Sequence, residues 1–141
     1  MRNFVAGGGA ALVMLFGLTP AAVSAGSAHY INSAFTESCT EDTLTVTGKE
    51  AGLGDEEDVH VVLTATAVCI NPGTRHPKAE NKEGASAEGD FPVTNGKADF
   101  SLTASAELQP DCSPPMTIVW TDVVITDDAN GLTKSLPDCF P

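Results

Sequence analysis

Positive charge is scarce: 7 Lys and Arg stand against 19 Asp and Glu, for a formal net charge of −12. A chain so acidic is repelled by phosphate backbones and anionic lipid surfaces, so nucleic acid is not an expected partner. Solubility is the ordinary role of such a charge, and attraction of cations is the functional one. No stretch keeps a helical period over several turns, which argues against a helical fold. The four cysteines form no CxxC or Cys/His pattern, which removes the usual zinc-site reading. A nucleophile elbow is missing as well. The nearest stretch, Gly84-Ala85-Ser86-Ala87-Glu88, lacks the second glycine and follows no buried strand. Paired carboxylates for sugar hydrolysis would need a groove that so small a domain is poorly able to build. A non-enzymatic protein with no cofactor is therefore expected.

Residues 1–25 have the pattern of an export signal: Arg2 at the start, an uncharged apolar run from Phe4 to Leu18, then small residues ending in Val23-Ser24-Ala25. The run falls short of the ~20 residues that cross a bilayer. No cysteine follows it to carry a lipid, and Asp138-Cys139-Phe140-Pro141 closes the chain without an apolar tail. The expectation is a secreted protein with no membrane span, starting at Gly26. Of 141 residues 116 then remain, enough for one domain, with six Lys and Arg against 19 acids and a net charge of −13.

Four cysteines in a small exported domain predict two disulfides. Cys69 ends one long apolar stretch and Cys112 just precedes the next, so an antiparallel arrangement brings them to the same end of a sheet. Cys39 and Cys139 are left to pair with each other.

The clearest strand is Val59 to Ile70, where Val59, Val61, Leu63, Ala65, Ala67 and Cys69 make one apolar face. Residues 26–42 show no period and are expected to be an irregular or edge segment pinned by Cys39; Thr43 to Lys49 alternates, with Leu44 and Val46 inward. Asn71 to Lys78 is rich in turn formers and predicts a long loop, followed by one or two short strands up to Val93. Asn95-Gly96 signals a tight hairpin, after which Ala98 to Ala104 should pair with the segment before the turn. Met116 to Thr126 is a second long strand with two mixed faces, expected where a strand is covered on both sides. Leu132 to Leu136 closes the set. The predicted fold is all-β, an immunoglobulin-like β-sandwich of about seven to eight strands with two disulfides, over residues 43–141. The prediction concerns architecture, because the cysteine spacing departs from that of antibody domains.

Lys49-Glu50-Ala51-Gly52-Leu53-Gly54, Cys69-Ile70-Asn71-Pro72-Gly73, Asn81-Lys82, Thr121 to Asp127 and Asn130-Gly131 together resemble a group of small exported actinobacterial proteins of unknown function. The likeness covers about residues 43–136. It implies export, an all-β fold and a recurring pair matching Cys69 and Cys112, with Cys39 and Cys139 particular to this chain. It implies no activity.

Three sets of residues are candidates for binding. Arg75, Lys78 and Lys82 hold half the mature chain's basic residues and would face an acidic ligand of the extracellular space or cell envelope. Asp127, Asp128 and Asn130, with the run Asp55 to Asp58, offer hard oxygen ligands for calcium, though without EF-hand spacing. A cut after Ala28 would make His29 the first residue. Its amino group and ring could then hold copper with His60 or His76.

Overall fold

The computed structural model describes residues 27–71 and 77–141, with side chains in the second stretch described from Asn81 onward. The proposed export signal, Arg75 and His76 lie outside these residues. Eight strands run in order: β1 (His29–Tyr30), β2 (Thr36–Cys39), β3 (Thr43–Ala51), β4 (Asp58–Ile70), β5 (Pro77–Pro92), β6 (Ala98–Ser105), β7 (Thr117–Asp127) and β8 (Leu132–Leu136). They form two four-stranded antiparallel sheets. In the first, β3 pairs with β6 along one edge and with both β1 and β2 along the other; the second has the order β5-β4-β7-β8. No helix among the described residues is long and apolar enough to cross a membrane.

The predicted face of β4 is the floor of the core: Val59, Val61, Leu63, Ala65, Ala67 and Cys69 are all buried. Leu44 and Val46 of β3 and Phe100, Leu102 and Ala104 of β6 pack against it from the other sheet. The outward side of the first sheet is hydroxylated, with Thr36 bonded to Thr47 and Thr45 to Thr103 across neighbouring strands. Both choices suit a pleated surface, since β-branched residues favour strands and cross-strand pairs stabilise them.

Four expectations need correction. Of the two alternatives for residues 26–42 the edge holds and irregularity throughout does not, because β1, a 3-10 turn over Asn32–Ala34 and β2 line the free edge of β3. Strands of two and four residues are too short to show a period. The loop after Ile70 gives way to strand at Pro77, and β5 is one strand of 16 residues where one or two short ones were expected. Its inward positions include Ala85, Ala87 and Gly89, too small to mark a face by hydrophobicity. Asn95 and Gly96 do take positive φ, 54° and 73°, and Thr94 bridges Lys97. The ladder stops there, however, and β6 pairs with β3 instead of β5. The turn carries the chain from one sheet to the other, held by the Gly96 carbonyl accepting from Leu53 N–H.

The fourth correction concerns β7. Its mixed faces reflect cover on the second side only where Val119 meets Val68, both buried, and the rest comes from a bulge. Thr64 opposes Val124 but Thr66 opposes Thr121, so β7 has one extra residue there. Asp122, with φ 50°, forms this bulge and reverses the alternation, turning Ile118 and Trp120 inward before it and Val123, Ile125 and Asp127 inward after it.

Gly48 has a packing role. A Cβ there would lie 2.5 Å from Phe100 Cζ and 3.0 Å from the Phe35 ring, which rests on Phe100 with centroids 5.8 Å apart. Gly48→Ala is expected to destabilise by about 1–3 kcal/mol through overpacking, read as a lower urea midpoint. An unchanged midpoint would mean that the two rings yield freely.

Candidate functional site

The two ends of the sandwich are built differently. At one end Cys39 bonds Cys139 and Cys69 bonds Cys112, as expected from the sequence. There the C-terminal segment joins β7, with Cys139 exchanging both backbone hydrogen bonds with Trp120, whose Nε1 donates to the Thr40 carbonyl at 2.9 Å. A cavity of about 340 Å³ lies beside the second bridge, bordered by Glu41, Asp42, Glu107, Leu108, Asp111 and Ile118.

The opposite end carries an acid pair. The inward alternation of β3 continues past Leu44, Val46 and Gly48 to Glu50, which is fully buried. Tyr30 stands opposite it on β1 and the small Ala98 on β6. From the other sheet comes Asp127, the last residue of β7, also fully buried because the Asp122 bulge turned its parity inward. Glu50 and Asp127 thus meet across the interface between the sheets. Among the described residues neither Glu50 oxygen has a hydrogen-bond donor, nor does the buried Tyr30 hydroxyl find a partner. Burial first, then contact with Asp127 and the charges of Asp127 and Glu56, push the Glu50 carboxyl up to about 8. The same burial and the nearby Glu50, Asp127 and Asp128 push the Tyr30 phenol well above its usual range.

Asn130 organises the rim. Its backbone N–H donates to Asp127 Oδ1 at 3.3 Å, and its Nδ2 donates to Asp127 Oδ2 at 2.7 Å and to Glu56 Oε1 at 3.3 Å. Of the expected calcium residues, Asp127 and Asn130 therefore come together, and Glu56 joins them from the acidic run. Asp128 stays exposed at the edge. Glu50 was missed by sequence reading. Its signal was the parity of β3, which places an acid in line with Leu44 and Val46.

The copper candidates are arranged otherwise. His60 projects outward from β4, with Nδ1 2.8 Å from Asp90 and Nε2 3.0 Å from Glu88, so both ring nitrogens are engaged. His29 Nδ1 donates to the Ser27 carbonyl. Hydrogen bonding to Asp90 and then Glu88 raises the His60 pKa. The bonds favour the imidazolium, so their contribution is fully present below the ordinary value and lost as pH rises through the raised one. Proton NMR should find the His60 midpoint above 6.5, falling in Asp90→Asn and Glu88→Gln; a midpoint at or below 6.5 would contradict the pairing.

Of the basic candidates, Lys82 is exposed on β5 opposite Val68, and Lys78 lies in the same strand. Lys78 therefore belongs to a strand and not to the loop expected over Asn71 to Lys78.

Fold and disulfides define an all-β two-sheet sandwich cross-linked at one end. No family model, curated protein or solved structure matches the chain.

Proposed function

We propose that the protein is an exported, non-enzymatic binding or structural module of the extracellular space or cell envelope. The observation that carries this is the cysteine inventory: all four cysteines are spent in two bridges and none is free. Such pairing belongs to oxidising compartments and to small domains whose cores gain from cross-links. The signal-like segment at residues 1–25 and the resemblance over residues 43–136 to small exported actinobacterial proteins point the same way.

The ligand class that fits best is an acidic polymer of the envelope. Lys82 is exposed on a strongly acidic body, and Lys78 and Arg75 precede it in the chain. A positive stretch on a negative protein orients it toward an anionic surface with the remainder held away. Oxidised mature protein should be retained by envelope fractions and released by salt, and alanine at Arg75, Lys78 and Lys82 together should weaken retention several-fold. Undiminished retention of the triple variant removes these residues as the contact; no retention of the wild type removes the envelope as the ligand.

A further inference from the structure

We propose that the Glu50–Asp127 end of the sandwich is a calcium site that fastens together the two sheets where no disulfide does. Both bridges lie at the other end. Cys39 pairs in register with Leu44 at the start of β3, Cys139 sits against Trp120 near the start of β7, and Cys69 and Cys112 meet where β4 ends. At the far end no disulfide joins the sheets, and two acids face each other between them.

A buried carboxylate without a donor is costly, and the cost is usually removed by a proton, a water or an ion. Glu50 supplies two such oxygens and Tyr30 a third unpartnered atom. Asp127 adds a second buried carboxyl from the opposite sheet, and Glu56 a half-buried third. All of these groups present oxygen, and none presents nitrogen or sulfur. That selects a hard cation, and an irregular set drawn from three strands and one loop suits the flexible coordination of calcium better than the strict octahedron of magnesium.

No three acidic, His or Cys side chains among the described residues are already gathered around one point. Binding must therefore draw the carboxylates closer, and Asn130 already links two of them, its Nδ2 donating to both Asp127 Oδ2 and Glu56 Oε1. Turning that amide over about its last side-chain bond replaces the donor with the Oδ1 acceptor and needs no backbone movement. The 2.7 and 3.3 Å separations then become spacings between adjacent oxygens. Such spacings suit oxygens that each lie roughly 2.3–2.6 Å from one ion. Glu50, in contact with Asp127 from the opposite sheet, supplies a further carboxylate. This inference does not depend on what the module binds at its surface.

The test is thermal unfolding of the oxidised mature protein, freed of metal by chelator and followed by Trp120 fluorescence. With an affinity in the range of extracellular calcium modules, 10 mM calcium should raise Tm by roughly 5–10 °C, magnesium should raise it less, and chelator should reverse the rise. Glu50→Gln keeps shape while removing one buried carboxylate; it should fold and lose the rise. Asn130→Ala, in the rim turn, should weaken calcium binding several-fold by direct titration, and the surface variant Asp99→Asn should keep the wild-type response. A wild-type Tm unmoved at 10 mM calcium overturns the proposal, leaving the acid pair to a shared proton. So does a full rise retained in Glu50→Gln. Should that variant not fold, the Asn130→Ala titration decides: unchanged affinity overturns the site and weakened affinity supports it.

Discussion

Replacing Trp120 with alanine should cost about 3–5 kcal/mol, the largest loss expected from any single core substitution here. Trp120 is the largest fully buried side chain and is wholly shielded from solvent. Three features converge on it: the core between the sheets, the Nε1 bond to Thr40, and the backbone pairing that holds Cys139. Truncation opens a cavity and loosens the segment that carries one half of a disulfide. For a domain of this size the loss corresponds to a Tm lower by roughly 12–20 °C. Trp120→Phe separates the contributions. It fills most of the volume and gives up the indole N–H, so its cost should stay near 1–2 kcal/mol, since the Thr40 carbonyl lies on an exposed residue and can turn to water. Equal losses in the two variants would show that the hydrogen bond, not the filled volume, dominates at this position.

The second large effect concerns the bridge between Cys39 and Cys139, whose sequence separation is 100. In the chain-entropy model a loop of that length stabilises by about 4–5 kcal/mol through restriction of the unfolded chain. The other bridge, with separation 43, already shortens the path between the two ends. With it intact, the effective loop is roughly sixty residues and the expected loss nearer 4 kcal/mol. Cys39→Ser with Cys139→Ser should therefore unfold about 15–20 °C lower than wild type. Denaturant unfolding of the double variant would check it. A loss below 1 kcal/mol would mean that the strand pairing of Cys139 with Trp120 alone holds the C-terminus.

Both effects act at one end of the molecule, and that end was the legible one. Alternation along Val59 to Cys69 marked a complete inner face, and the positions of Cys69 at the end of one long strand and of Cys112 shortly before the next indicated which cysteines could meet. The first two strands were harder. β1 has two residues and β2 has four, and they exist because the edge of β3 offers them partners. Their own composition gives no period. The long strand β5 was obscured by small inward residues. The Asn95-Gly96 turn was read correctly as a local conformation but wrongly as a ladder, since whether two strands pair beyond a tight turn depends on which sheet each one joins.

The acid pair shows the same limit in a site. Asp127 was visible as an acid in a turn, where solvation is the ordinary expectation. Its burial follows from one inserted residue at Asp122, which changes the side of the strand on which every later residue falls. A bulge leaves only a faint trace in sequence, here the shift of apolar residues from Ile118 and Trp120 to Val123 and Ile125. Without that shift Asp127 would point to solvent, together with Val123 and Ile125. The bulge at Asp122 absorbs one residue and so keeps all three inward, and deleting Asp122 should leave Asp127 buried, because a regular strand running on from inward Trp120 then alternates to Val123, Ile125 and Asp127.

The most direct test of an exported sandwich closed at one end by sulfur is peptide mapping, without reduction, of the protein recovered from the culture medium. The account predicts a chain beginning at Gly26, with the peptide of Cys39 linked to that of Cys139 and the peptide of Cys69 linked to that of Cys112. Protein found only inside the cell, retaining residues 1–25 and carrying free thiols, would contradict it.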